Sequence, residues 1–417
     1  DKFQVTRRSI GYVFEHEFND RLLLRNNMRF FAADNVYPSL QVDELGADQR
    51  TLQRSAFDDQ DRSRALVMDT SLQYKWTMGS ASHTSLIGFD HTTQRRHNEA
   101  YDQSAKALDL YTPIYGSAIG ERTRALSSSK KKSKQVGVYF QDQIKIANRL
   151  VVLLGGRYDH IRQDDRACFS DDVRVDDEKS TAFTGGAGHV FLAEHGLGPY
   201  MSFSQSFQPQ SGFDRKKTRF EPTRGEQWEV GVRYQPKDSQ TQIAAAIYDL
   251  TRSNVLVPDP ESRRHSIQFG KVRSRGVEIE ARTRIGRNAN LIAAYAYTDA
   301  RTVESSPLTP EKEGKRSGGV PYNQVSLWAD YGFGGFGLPG LKAGAGVRYV
   351  ASTQGVFMEG TVPAFTLVVA MVSYSTGPWR LALNASNLTD KTYVASCTYG
   401  CFYGSPRIVV ANATYKW

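Results

Sequence analysis

The sequence predicts an all-β protein, a transmembrane antiparallel β-barrel that takes in residues 1–417. Three observations carry this expectation. Segment after segment alternates apolar and polar side chains with a period of two over about nine to eleven residues, the length a tilted strand needs to cross a bilayer. The connections between these segments alternate short and long, the pattern of the two rims of a membrane barrel. Aromatic residues gather at strand ends on the apolar faces, where lipid headgroups begin.

Taken in order, the expected strands cover residues 2–18, 21–33, 64–77, 82–96, 134–147, 149–162, 180–194 and 198–208. They continue through 225–236, 240–254, 265–285, 289–302, 320–333, 341–352, 363–376, 378–389 and 405–417. Trp228, Val230 and Val232 alternate with Glu229 and Arg233, and Val277 and Ile279 with Glu278 and Arg282, so one face is expected to meet lipid and the other the lumen. Short turns such as Asn19-Asp20, Gly286 to Asn288 and Gly377 alternate with long stretches at 34–63, 97–133, 163–179, 209–224, 255–264, 303–319, 353–362 and 390–404. Uneven spacing argues against a propeller, whose blades repeat at fixed length. The end aromatics are Tyr74, Trp76, Tyr234, Tyr295, Tyr297, Tyr331, Phe333, Tyr349, Tyr415 and Trp417. About 17 strands is odd where single-chain bacterial barrels are even, so further strands are expected ahead of this stretch, five of them for a barrel of 22.

Composition removes other classes. A mean hydropathy of −0.49, with 53 Lys and Arg against 44 Asp and Glu for a net +9, excludes a bundle of membrane helices but not a barrel with a polar interior. The eight histidines are scattered, no metal-ligand spacing occurs, and no catalytic motif or phosphate loop is present. The run Lys130-Lys131-Lys132-Ser133-Lys134 lacks interleaved aromatics, so a solvated loop end is expected rather than a nucleic-acid site. On the outward rim it could meet lipopolysaccharide phosphates. Cys397 and Cys401, four apart beside Gly400 and Gly404, are expected to close a small disulfide ring, the alternative being three free thiols; Cys168 is left over in a polar loop.

The stretch Asn387-Leu388-Thr389-Asp390-Lys391-Thr392-Tyr393, then Tyr399-Gly400-Cys401-Phe402-Tyr403-Gly404, then a last strand to Trp417, resembles the carboxyl end of TonB-dependent ferric-siderophore receptors of the ferrichrome, hydroxamate-type branch. Gly137-Val138-Tyr139-Phe140-Gln141-Asp142-Gln143, Gly155-Gly156-Arg157-Tyr158-Asp159, Gly225-Glu226-Gln227-Trp228-Glu229 and Arg275-Gly276-Val277-Glu278 are similar to the same family, in the same order. The resemblance implies a 22-stranded barrel filled by an N-terminal plug that binds TonB through a short box; neither plug nor box is in this sequence. It implies an outer-membrane receptor of a Gram-negative bacterium, without catalysis, whose iron is carried inside the siderophore rather than by a bound cofactor or metal site. Partners would be the ferric siderophore, TonB, membrane lipid and lipopolysaccharide, and not nucleic acid.

Residue by residue, the resemblance puts Tyr37 in the first long loop, Tyr101 in the second, and Tyr399 and Phe402 in or beside the cysteine ring, as aromatic contacts for the ligand. Tyr111, Tyr115 and Phe213 are weaker candidates. Asn387, Asp390 and Tyr393 form the carboxyl-terminal motif with Trp417, the aromatic end that assembly machinery reads in this family. A receptor for another siderophore or for haem, a passive porin and a soluble all-β binding protein are the competing expectations.

Overall fold

A computed structural model describes residues 3–122, 125–169, 172–237, 239–356, 360–398 and 400–417. Its backbone divides into two compact units, Asp1–Gln143 with Gly155–Thr184 and Pro209–Pro222, and Ile144–Leu154 with Gly185–Gln208 and Thr223–Trp417. The long strands are β1 (Gln4–Asn19), β2 (Leu22–Leu45), β3 (Thr51–Met78), β4 (Ala81–Ser104), β5 (Ala125–Ile146), β6 (Leu150–Phe169), β7 (Asp172–Phe191), β8 (Leu197–Gln208) and β9 (Thr223–Tyr234). The others are β10 (Gln242–Asp259), β11 (Ser262–Ile285), β12 (Ala289–Glu304), β13 (Asn323–Gly332), β14 (Leu341–Val350), β15 (Phe365–Thr376), β16 (Trp379–Ser386) and β17 (Ile408–Tyr415). With the two-residue strand Leu108–Asp109 they form an 18-stranded sheet, so the expected count of long strands holds among the described residues.

In the first unit, β1 to β4 are successive antiparallel partners. Leu24, Leu72 and Ile87 stand in one cross-strand row, and Ile87 is 55% exposed. The neighbouring row, on the opposite face, holds the buried Ser71 opposite Gly88. The hydroxyl end of the Tyr139 ring, from β5, occupies the space beside Gly88, where an added Cβ would come within 2.1 Å of it. The strands run much further than the alternation indicated. Residues 34–63 were expected as a loop, but β2 continues to Leu45 and β3 begins at Thr51, in register through Tyr37 opposite Asp59. Likewise β4 reaches Ser104, β5 starts at Ala125, β6 ends at Phe169 and β7 starts at Asp172. Beyond the hydrocarbon both faces meet water, so the period-two signal disappears, yet the backbone groups still need partners and the neighbouring strand supplies them.

In the second unit, Val230, Ile247, Val277 and Tyr297 follow one another across β9 to β12, and Glu229, Tyr248 and Gly276 form the adjacent row on the other face. Trp228, Val230, Val232, Val277 and Ile279 share one face, and Glu229, Arg233, Glu278 and Arg282 share the other, as the alternation required. Trp228 is 51% and Ile247 58% exposed, whereas Glu229 accepts a hydrogen bond from Tyr200 Oη at 2.7 Å. The short turns are equally local: Gly377, at φ 52, lets Thr376 pair with Trp379 across a two-residue link. Among the described residues most buried apolar side chains are alanines, while Asp58, Asp61, Asp142, Asp159 and Glu178 are all buried. A sheet that exposes its hydrocarbon and hides its charge is built for an apolar solvent on one side.

Candidate ligand vestibule and basic outer wall

The polar face is knitted by side chains from the segments that carry the family resemblance. Arg157 donates from Nε to Asp159 at 2.7 Å and from its guanidinium to Asp90 at 3.0 Å, while Gln135 also donates to Asp159 at 2.8 Å. Tyr139 Oη donates to Asp69 at 2.7 Å. Each carboxylate is therefore matched by donors, which is what makes its burial tolerable.

Above this network, on the strand extensions of the first unit, the polar face carries Tyr37. Its ring meets Phe3 edge-on at 5.6 Å, and the same row holds Asp59, bonded to Asn98. Arg96 is paired with Asp61 two residues along. Tyr37 is 45% exposed, so its ring presents usable apolar area. Tyr101 behaves differently. It stands opposite Asp58, one position off the Asp59 row, so it points to the other face of the sheet. There its hydroxyl donates to Glu99 at 3.2 Å, a bond that raises its pKa, and the Arg122 guanidinium lies 5.1 Å from its ring centre. Tyr37 and Tyr101 were both expected in loops; both are in strands, and the register sets them on opposite faces. Tyr111 and Tyr115 are each 75% exposed, in the segment that follows Leu108–Asp109.

The face that bears Tyr101 is strongly basic. Arg62 opposes His97 and Arg64 opposes Arg95, and these side chains, with Lys130 to Lys132 and Arg166, line a cavity of about 830 Å³. Asp164, Asp176 and Asp177 are its acidic members, and Lys131 pairs with Asp165 at 2.7 Å. Adjacent in β7, Glu178 is 3% exposed and neither carboxylate oxygen has a hydrogen-bond partner among the described residues. Burial, and after it the negative Asp176, push its pKa up to about 7, against the pull of Arg219. Sequence reading missed Phe3, Glu178 and this wall. Arg62, Arg64 and Arg95 were visible in the sequence, but only the register shows that Arg64 stands opposite Arg95 and Arg62 opposite His97 on one face.

In the second unit a disulfide joins Cys397 to Cys401 and closes the small hairpin of Val394–Cys397 with Cys401–Tyr403. Phe402 is 58% exposed; Tyr399 lies outside the described residues. Cys168, expected in a loop, is in β6. Asn387 organises the carboxyl-terminal motif: Nδ2 donates to the carbonyls of Lys391 at 2.9 Å and Ser405 at 3.1 Å, and Oδ1 accepts from Lys391 N at 2.9 Å. Asp390 accepts from Arg407 N at 2.8 Å. Both residues have positive φ, 46° and 53°, a conformation asparagine and aspartate tolerate better than most. Tyr393 packs on Phe365 at 4.4 Å and against Gly404. Trp417 follows the end of β17 and is fully exposed. Among the described residues, no group of three or more His, Cys, Asp or Glu is placed to hold a metal ion.

Strands of bilayer length, hydrocarbon on one face and neutralised charge on the other define a transmembrane β-barrel protein. The chain belongs to the family described as TonB dependent receptor-like, beta-barrel, whose pattern matches residues 1–388. That family is one of outer-membrane receptors of Gram-negative bacteria, not of enzymes. Along its whole length the chain is 36% identical, over 449 aligned residues, to the ferrichrome outer membrane transporter/phage receptor of Escherichia coli K12, of which it covers 59%. It is 32% identical over 431 residues to the ferrioxamine B receptor of Salmonella typhimurium SL1344, again covering 59%. The chain thus spans about three-fifths of the length of the curated relatives it matches. Two solved structures share its fold: the closed form of the ferric-catecholate import receptor Fiu from E. coli K12 and the siderophore receptor PiuA from Acinetobacter baumannii. Each superposes with a TM-score of 0.87 at 20% identity, over 99% and 100% of this chain and 64% and 65% of theirs.

Proposed function

We propose that the chain forms barrel wall and outward loops of a receptor that imports a ferric siderophore of the hydroxamate type across the outer membrane by gated, TonB-coupled transport. The observation that carries this reading is likeness along the entire chain to receptors named for ferrichrome and for ferrioxamine B, both hydroxamates. Iron is then cargo, held by the siderophore, and TonB acts through a plug and box outside this sequence. Tyr37, Tyr399 and Phe402 act as vestibule aromatics. Tyr101, whose row faces the basic wall, contacts the ligand from that side. That wall supports lipopolysaccharide as a second partner: stacked Arg and Lys side chains on the face that continues the lipid-facing rows suit phosphate groups at headgroup height.

Fluorescence-quenching titration of the complete receptor tests the cargo. Ferrichrome and ferrioxamine B are expected to saturate the signal at concentrations about tenfold or more below those needed for haem or a ferric catecholate, a margin of about 1.4 kcal/mol. Tighter binding of haem or of the catecholate overturns the hydroxamate assignment.

A further inference from the structure

Most of the short connections are polar, as at Asn19-Asp20 and Gly286-Arg287-Asn288, but the one between β13 and β14 reads Phe333-Gly-Gly-Phe336-Gly-Leu338-Pro-Gly340, without a charge. It is folded rather than slack. Phe333–Phe336 form a 3-10 turn, Gly337 closes it at φ 76, and Leu338 N donates to Phe333 O at 3.3 Å. Its base is fixed by Gly332 N donating to Asn288 O at 2.9 Å and Ser375 N to Gly340 O at 3.0 Å. The two phenylalanines close on Tyr331, with ring centres 5.2 and 6.0 Å away and 6.1 Å from each other. Yet Phe336 is 71% and Leu338 50% exposed.

Tyr331 ends the row Val325, Leu327, Ala329, Tyr331, which alternates with the buried Asp330 side and so lies on the lipid face. Across the sheet that face continues through Leu341, Tyr374 and Leu381, all opposite one another at the same strand ends. The aromatic cluster therefore extends an established lipid-facing surface past the end of the strand. An ordered turn that holds a phenylalanine out of its own fold needs an apolar surrounding, and aromatic rings without charged neighbours suit the headgroup boundary. Its area is too small for a stable protein interface.

We propose that residues 333–340 are a membrane-interface foot, which seats Phe336 and Leu338 in the phospholipid leaflet on the short-turn side of the outer membrane. The test uses the full-length receptor in vesicles of phosphatidylethanolamine and phosphatidylglycerol, with a nitroxide at Phe336→Cys, at Leu338→Cys with Phe336 intact, or at Arg287→Cys as a polar-turn reference, all on a Cys168→Ser background. Power saturation against oxygen and a water-soluble nickel chelate reads depth. The oxygen-to-nickel collision ratio at 336 and 338 is expected to exceed that at 287 by about fivefold or more, as for a side chain below the headgroups. Ratios equal to that at 287 overturn the proposal. So does shielding of 336 and 338 from both reagents, which would mean that protein covers the turn.

Discussion

Replacing Glu178 by glutamine changes how the outward segment 209–222 responds to pH. Glu178 lies 13 residues before Phe191, the short-turn end of β7, and therefore beyond the about eleven residues that cross the bilayer. Glu178 is 3% exposed, its carboxyl has no hydrogen-bond partner among the described residues, and its pKa is raised from 4.5 to about 7. Arg219, in segment 209–222, is the cation acting on it and also lies 3.6 Å from Asp176. A raised folded-state pKa means that the closed arrangement binds the proton more tightly than the open one. The contribution is complete below pH 4.5 and is lost as pH rises through about 7. At about 1.4 kcal/mol for each tenfold change in proton binding, the loss amounts to at most about 3.5 kcal/mol, or about 300-fold in local opening. Amide hydrogen exchange of the complete receptor, corrected for intrinsic rates, measures this. Protection of residues 211–222 is expected to fall between pH 5.5 and 8.5 in the parent protein and to stay level in Glu178→Gln. Equal pH dependence in both proteins refutes the reasoning.

The disulfide predicts that thiol titration of the unreduced, denatured chain finds a single reactive thiol, and that reduction raises the count to three. Tyr37→Ala in the complete receptor is expected to weaken ferric hydroxamate binding by about tenfold, since a partly exposed ring contributes about 1 to 2 kcal/mol when covered, with barrel assembly unchanged; unaltered affinity would make Tyr37 a packing partner of Phe3. Neutralising Arg62, Arg64 and Arg95 together as glutamines should reduce the lipopolysaccharide that copurifies with the receptor, by mass spectrometry, while leaving siderophore affinity as it was. Gly88→Ala drives a Cβ into the Tyr139 ring and is expected to cost about 1 to 3 kcal/mol, read as a lower temperature for loss of the heat-modifiable barrel band.

Membrane strands could be read from the sequence because lipid imposes a rule on every second residue. Trp228, Val230 and Val232 against Glu229 and Arg233 already state which side chains share a face, and β9 and β10 do no more than realise it. The short turns and the Cys397-Cys401 ring were equally local, each set by residues a few positions apart. Above the bilayer that rule lapses. With water on both faces nothing distinguishes Tyr37 from Pro38 in the sequence, and only pairing of β2 with β3 and β4 shows that strands continue there, that Tyr37 joins Asp59 on the polar face and that Tyr101 does not. The basic wall is a product of the same register: Arg64 and Arg95 stand 31 positions apart along the chain and opposite each other across the sheet. The charge acting on buried Glu178 from Arg219 comes from a different segment, and no period within β7 encodes it. Local chemistry determined the membrane-crossing parts of the strands, and long-range backbone hydrogen bonding decided how far they continue and which side chains meet at their outward ends.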